Sequence, residues 1–100
     1  MKTLEINGIG EVVIKRTMRG MMNFEIMAKK KLSEISDSID DVLKFQYCMI
    51  SACNRDKFKD INFDAWLDII DNTEGLFEEV STAITEATTE DSKKKVKGKK

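Results

Sequence analysis

Histidine and proline are both missing from this 100-residue chain, and only five glycines occur. Without histidine the commonest general base and metal ligand is gone. Without proline the strongest helix breaker is gone, which favours helical segments. Long hydrophobic runs are also lacking, and no stretch approaches the roughly 18–20 apolar residues of a membrane helix. The N-terminus, MKTLEINGIGEVVIK, has no apolar core of the signal-peptide kind. Cysteine is scarce too. Cys48 and Cys53 fall in one strongly helical pattern, where five residues separate them by about 7.5 Å of rise and turn them in different directions. That spacing excludes a disulfide while the helix is intact, so both read as buried free thiols, and the expected location is the cytoplasm.

What is present suits one small globular domain. Hydrophobic residues make up 41% of the chain and charged residues 35%, too apolar for full disorder. The net charge of −1 hides a polarised arrangement. Six of the 17 basic residues lie in Lys93–Lys100, which leaves 11 against 18 acids over positions 1–92, a net of −7. An acidic folded domain over 1–87, followed by a disordered lysine-rich tail over 88–100, is the expected organisation.

Thr3–Ile6 and Glu11–Ile14 are short β-like runs around Asn7-Gly8-Ile9-Gly10. Asn-Gly favours the positive φ angles of a tight hairpin turn. A lone hairpin is marginal in water, so it must lie on helices or pair with another chain. Thr17 is placed to cap a helix over 18–30 that carries Met18, Met21, Met22, Phe24, Met27 and Ala28. Gly20 should weaken that helix's first turn by up to about 1 kcal/mol relative to alanine. Ser36 or Asp37 is the expected cap of a central helix over 38–53, with Ile39, Val42, Leu43, Tyr47, Ile50 and Cys53 as one apolar stripe. Phe45, Cys48, Met49 and Ala52 add a second face, the mark of a helix covered on both sides. The charged segment 55–61 reads as loop. Asn62 opens a helix over 63–70, Asn72-Thr73 a break, and Glu74 a last helix to Ala87. The predicted fold is mainly α: an N-terminal β-hairpin, then about four helices packed around the central one.

No constellation of catalytic residues emerges, so an enzyme is not expected, and neither a cofactor nor a metal. Asp56, Asp60, Asp64, Asp68 and Asp71 lack the ligand order, central glycine and final glutamate of a calcium loop. Gly8-Ile9-Gly10 leads into a strand, not a helix, so it is no dinucleotide fingerprint. Cys48 has only Lys44 nearby as a cation, too little to activate a thiol. The residues to weigh for partner binding are Met18, Met21, Met22, Met27, Trp66 and Phe77. Methionines and aromatics at helical spacing serve either as core or as an adaptable apolar surface. Core is the better-weighted use of the methionines in so short a chain, and of Trp66. The lysine tail, without interleaved aromatics beside an acidic body, argues against specific nucleic-acid binding, and no adjacent apolar anchor supports a membrane role.

The layout itself resembles the tail assembly chaperones of long-tailed bacteriophages and prophages. The resemblance covers residues 3–87. It rests on the strand pair, the helix start Thr17-Met18-Arg19, the central LKFQYCMISACN over Leu43–Asn54, the FDAWLD helix over Phe63–Asp68 and the helix from Glu74. It implies a non-enzymatic helper that binds the long apolar tape measure protein, keeps it soluble before tail-tube polymerisation, and often self-associates. It also implies a longer frameshifted product, for which the lysine runs at Lys93–Lys95 and Lys99–Lys100 suggest A-rich slippery codons. The family pattern carries no functional residues to transfer. The alternatives are another phage structural protein, such as a head–tail connector or tail terminator, and a small nucleic-acid-binding regulator that uses the basic tail.

Overall fold

In the computed structural model, residues 2–99 are described, with side chains through Ala87. The expectation of a disordered tail over 88–100 falls on residues whose side chains lie outside those described.

Strands β1 (Lys2–Ile6) and β2 (Gly10–Ile14) pair antiparallel, with Leu4 opposite Val12 and Glu5 opposite Glu11. The turn is not the two-residue form that Asn-Gly suggests. Ile9 N–H donates to the Ile6 carbonyl at 3.0 Å, and of the two central residues only Gly8 has positive φ, at 89°. One positive φ at the third position is the type II signature. Gly10, at φ 100°, then turns the chain back into β2. Alternation along the strands buries Ile6, Val12 and Ile14 against the helices and leaves Thr3, Glu5 and Glu11 in solvent.

Helix α1 (Met18–Ala28) starts where expected, with Thr17 Oγ1 accepting from Gly20 N–H at 3.0 Å. It ends two residues early, at Lys29, whose φ of 60° is left-handed. A 3₁₀ turn over Leu32–Glu34 leads to α2 (Ile39–Cys53). The cap is Ser38, whose Oγ accepts from Asp41 N–H at 3.2 Å, not Ser36 or Asp37. Segment 55–61 is not all loop, because α3 (Arg55–Phe58) forms a single turn that drives Phe58 into the core. Asn62 caps α4 (Phe63–Asn72) by accepting from Ala65 N–H at 2.8 Å. Helix α5 (Leu76–Lys99) begins after Gly75, at φ 80°, two residues later than Glu74.

The helices surround α2, with α1 on one side and β2, α4 and α5 on the other. Trp66, Met49, Ile50, Leu76, Val80 and the inner face of the hairpin make the centre of the core. Tyr47 joins α2 to the start of α4: its hydroxyl donates to the Ile61 carbonyl at 2.6 Å, and its ring meets Phe58 and Phe63 edge-on. Burial pushes its phenol pKa up. The expected α2 stripe needs correction. Ile39 is 64% exposed, whereas Asp41 and Gln46 are fully buried with Cys48, Met49 and Ile50. Ile39 opens the helix at an end left exposed among the described residues, while the two polar residues are buried because each has tertiary partners. Gln46 Nε2 donates to Ser81 Oγ of α5 at 2.6 Å.

Asp41 ties α1 to α2. Its Oδ2 accepts from Ser36 N–H, Ser36 Oγ and Lys30 Nζ, each at 2.9 Å, and its Oδ1 from Lys30 Nζ at 3.1 Å. The Ser36 backbone N–H, then the Lys30 ammonium, hold its pKa down to about 2. A carboxylate depressed in the folded state contributes stability that is complete above its unfolded pKa of about 4 and lost as the pH falls through its folded value. Asp41→Asn should therefore melt below the parent at pH 7, and the gap should shrink between pH 4 and pH 2. Melting temperatures at pH 7, 4 and 2 check this. A gap that stays constant across that range would contradict it.

Candidate functional site

Helix α1 has two apolar sides, and only one is used by the fold. Gly20 and Phe24 face inward, with the Phe24 ring edge-on to Phe45 at 5.8 Å. On the opposite side Met18, Met22 and Ile26 are exposed by 78%, 54% and 67%. Spaced i, i+4 and i+8, they form a stripe about 12 Å long on a helix held rigid by its packing on α2. Among the described residues no other element covers it.

The charge around this stripe is one-sided. From Lys15 to Lys31 the chain carries six basic residues and one acid, Glu25. Glu25 is occupied locally, with Oε2 accepting from Leu32 N–H at 2.7 Å, and Lys30 is committed to Asp41. Lys15, Arg16, Arg19, Lys29 and Lys31 remain exposed about the helix. From Asp60 to Glu86 the chain has eight acids and no base. The folded body thus presents a basic, apolar-striped first helix and an acidic second half.

The six residues weighed for partner binding separate into two groups. Met18 and Met22 lie on the open stripe. Met21 is half-buried against the core, and Met27 is half-buried with its Sδ 3.9 Å from the Cys48 thiol. Trp66 is fully buried, so it is no surface anchor; α4 turns it towards Phe58, 5.9 Å away between ring centroids. Phe77 is half-buried on α5. Ile26 was missed, although the signal existed: the apolar residues of α1 are too many for one face of an 11-residue helix, and Ile26 continues the Met18–Met22 spacing.

The two thiols also differ. Burial pushes the Cys48 pKa up to about 11, which keeps it an unreactive thiol. Cys53 is only half-buried, its Sγ 3.5 Å from the Lys15 carbonyl, so the expectation of two buried cysteines holds for Cys48 alone. Asp56, Asp60, Asp64, Asp68 and Asp71 are all exposed. Among the described residues no group of three or more histidine, cysteine, aspartate or glutamate side chains is placed to hold a metal ion, and no helix is long and apolar enough to cross a membrane. No protein-family model matches the chain, and neither does any curated protein or solved structure.

Proposed function

We propose that this protein is a tail assembly chaperone of a long-tailed bacteriophage or prophage, a non-enzymatic binder in the cytoplasm of the bacterial host. Its client is the tape measure protein, held on the outer face of α1. The open Met18–Met22–Ile26 stripe carries this reading, together with the resemblance over residues 3–87. An amphipathic client helix would lay its apolar side along the stripe, in the helix-on-groove manner that reads i, i+4 anchors. Flexible methionine side chains adapt to differing client surfaces, and the basic flank favours client segments with acidic neighbours.

Magnitudes favour a reversible contact. Three side chains of this kind give roughly 4–8 kcal/mol of gross burial, and the loss of free motion on association takes back most of it. One copy therefore holds its client weakly, while many copies along a long client cover it and still release it when the tube polymerises.

The test is co-expression with a tape measure protein from the same phage or prophage. The parent chain should raise that protein's solubility and co-purify with it. Met18→Gln, Met22→Gln and Ile26→Gln combined should keep the parent's melting temperature, since all three side chains are exposed and glutamine is a good helix former, yet lose the client. Absence of co-purification by the parent, or full retention by the triple variant, would sink the proposal.

A further inference from the structure

The hairpin has two edges, and the protein closes only one. At β2 the side chain of Asn54, the residue that ends α2, imitates a strand backbone. Its Oδ1 accepts from Val13 N–H at 2.9 Å, and its Nδ2 donates to the Val13 carbonyl at 2.8 Å and to the Ile50 carbonyl at 2.8 Å. The Val13 backbone groups therefore point away from β1. Opposite residues in an antiparallel ladder share this orientation, so Thr3, paired with Val13, turns its own N–H and C=O outward from β1. Glu5, two residues on, does the same. Among the described residues no hydrogen bond from outside the hairpin reaches the backbone of either. An edge of this kind is a template for a further strand.

Beside that edge runs an open groove of about 390 Å³ between β1 and α5. Leu4 and Ala83 supply its apolar part, and Glu78, Glu79 and Glu86 its acidic rim. Lys2 bridges Glu86 at 3.0 Å, whereas Glu78 and Glu79 form no ion pair among the described residues. The solvent face of the hairpin is acidic as well, because Glu5 stands directly opposite Glu11. Like charges in a non-hydrogen-bonded pair oppose hairpin formation, and the nearby Lys57 ammonium donates to the Glu11 backbone carbonyl. A strand laid along β1 would thus meet carboxylates on both of its faces.

We infer that the β1 edge docks an extended, lysine- or arginine-bearing segment of a partner protein, as an added antiparallel or parallel strand. Its backbone pairs with Thr3 and Glu5. Side chains on one face settle on Leu4 and Ala83 with cations reaching Glu78 and Glu79, and those on the other face bring positive charge beside Glu5. Main-chain pairing supplies the affinity and the acidic rim the selection. This surface is separate from the α1 stripe, on a different element and with the opposite charge preference.

The test uses the full-length, ¹⁵N-labelled chain and a capped peptide of alternating lysine and valine. Binding should slow amide exchange of Thr3 and Glu5 by at least about tenfold. A peptide N-methylated on its pairing amides, or one with glutamate in place of lysine, should do neither. Glu78→Gln with Glu79→Gln, both exposed positions, should leave the fold intact and weaken the peptide about tenfold. The glutamine triple variant on α1 should bind the peptide as the parent does, which separates this inference from the client reading. Unchanged Thr3 and Glu5 exchange at saturating peptide would overturn it, as would equal binding of the N-methylated peptide. Protection that the chain alone acquires on concentration would place a second copy at the edge and overturn the partner assignment.

Discussion

Trp66→Ala is expected to lose about 3–5 kcal/mol of stability, which for a chain of this length is a fall of roughly 15–30 °C in melting temperature. Domains of this kind have about 5–15 kcal/mol in total, so a loss of this size removes a large share of the stability. The indole has no exposed surface and is surrounded by the core, with Phe58 against one side. It is also the one fully buried residue of α4, so its loss weakens the seat of that helix, which Phe63, Ile69 and Ile70 only partly hold, as well as opening a cavity. Trp66→Phe should behave differently. The indole Nε1 is buried without a hydrogen-bond partner among the described residues, and an unmatched buried donor costs about 1–3 kcal/mol. Phenylalanine removes that cost while leaving a smaller void, so the two effects largely cancel and the protein should stay folded. Thermal and urea melts of both variants decide the matter. An alanine variant that melts with the parent would show that Trp66 does not anchor the core.

Gly20→Val should cost about 3 kcal/mol, although helix propensity taken alone puts most residues above glycine in a helix interior. A β carbon at Gly20 would lie 2.7 Å from Met49 Sδ, 3.0 Å from Thr17 Oγ1 and 3.3 Å from Met49 Cα. Alanine needs the Met49 side chain to move, and its propensity gain offsets much of the strain. Valine adds two branches against the α2 backbone, which cannot retreat without breaking the Phe24–Phe45 contact. Overpacking of this sort costs about 1–3 kcal/mol, and the two carbons added put valine at the upper end. Circular dichroism melts should rank parent, alanine and valine variants with valine clearly lowest. A valine variant as stable as the parent would mean that α1 and α2 have room to separate there.

Most of the fold was legible because local rules and tertiary packing agree. Thr17 and Asn62 cap the helices they were expected to cap, since a side-chain oxygen before an apolar periodic run satisfies free N–H groups wherever the helix finally packs. The hairpin was readable from its alternation, but its turn type was not, because glycines at 8 and 10 allow several turn forms and the strand pairing selected the one with positive φ at both. Phe58 in α3 escaped notice because one aromatic among Arg55, Asp56, Lys57 and Lys59 gives no periodicity to detect. The candidate surface was half legible. Composition marked the first helix as methionine-rich, but which methionines point outward depends on where the neighbouring helix lies.

The amino-acid sequence alone determined that this is a mainly helical protein with an N-terminal hairpin, because strand alternation, helical spacing and caps are properties of neighbours along the chain. It also determined the split of charge between the Lys15–Lys31 segment and the acidic stretch from Asp60 to Glu86. Tertiary structure decided the rest. It made Gly20 a helix-crossing contact, turned Asp41 and Gln46 into buried polar ties, sent Trp66 inward and left Met18, Met22 and Ile26 outside. It also closed one edge of the hairpin with Asn54 while leaving the other open. The physical reason is common to all of these. Burial and hydrogen-bond pairing are settled between residues far apart in the chain, and no local pattern records which face of a helix, or which edge of a strand, will meet a neighbour.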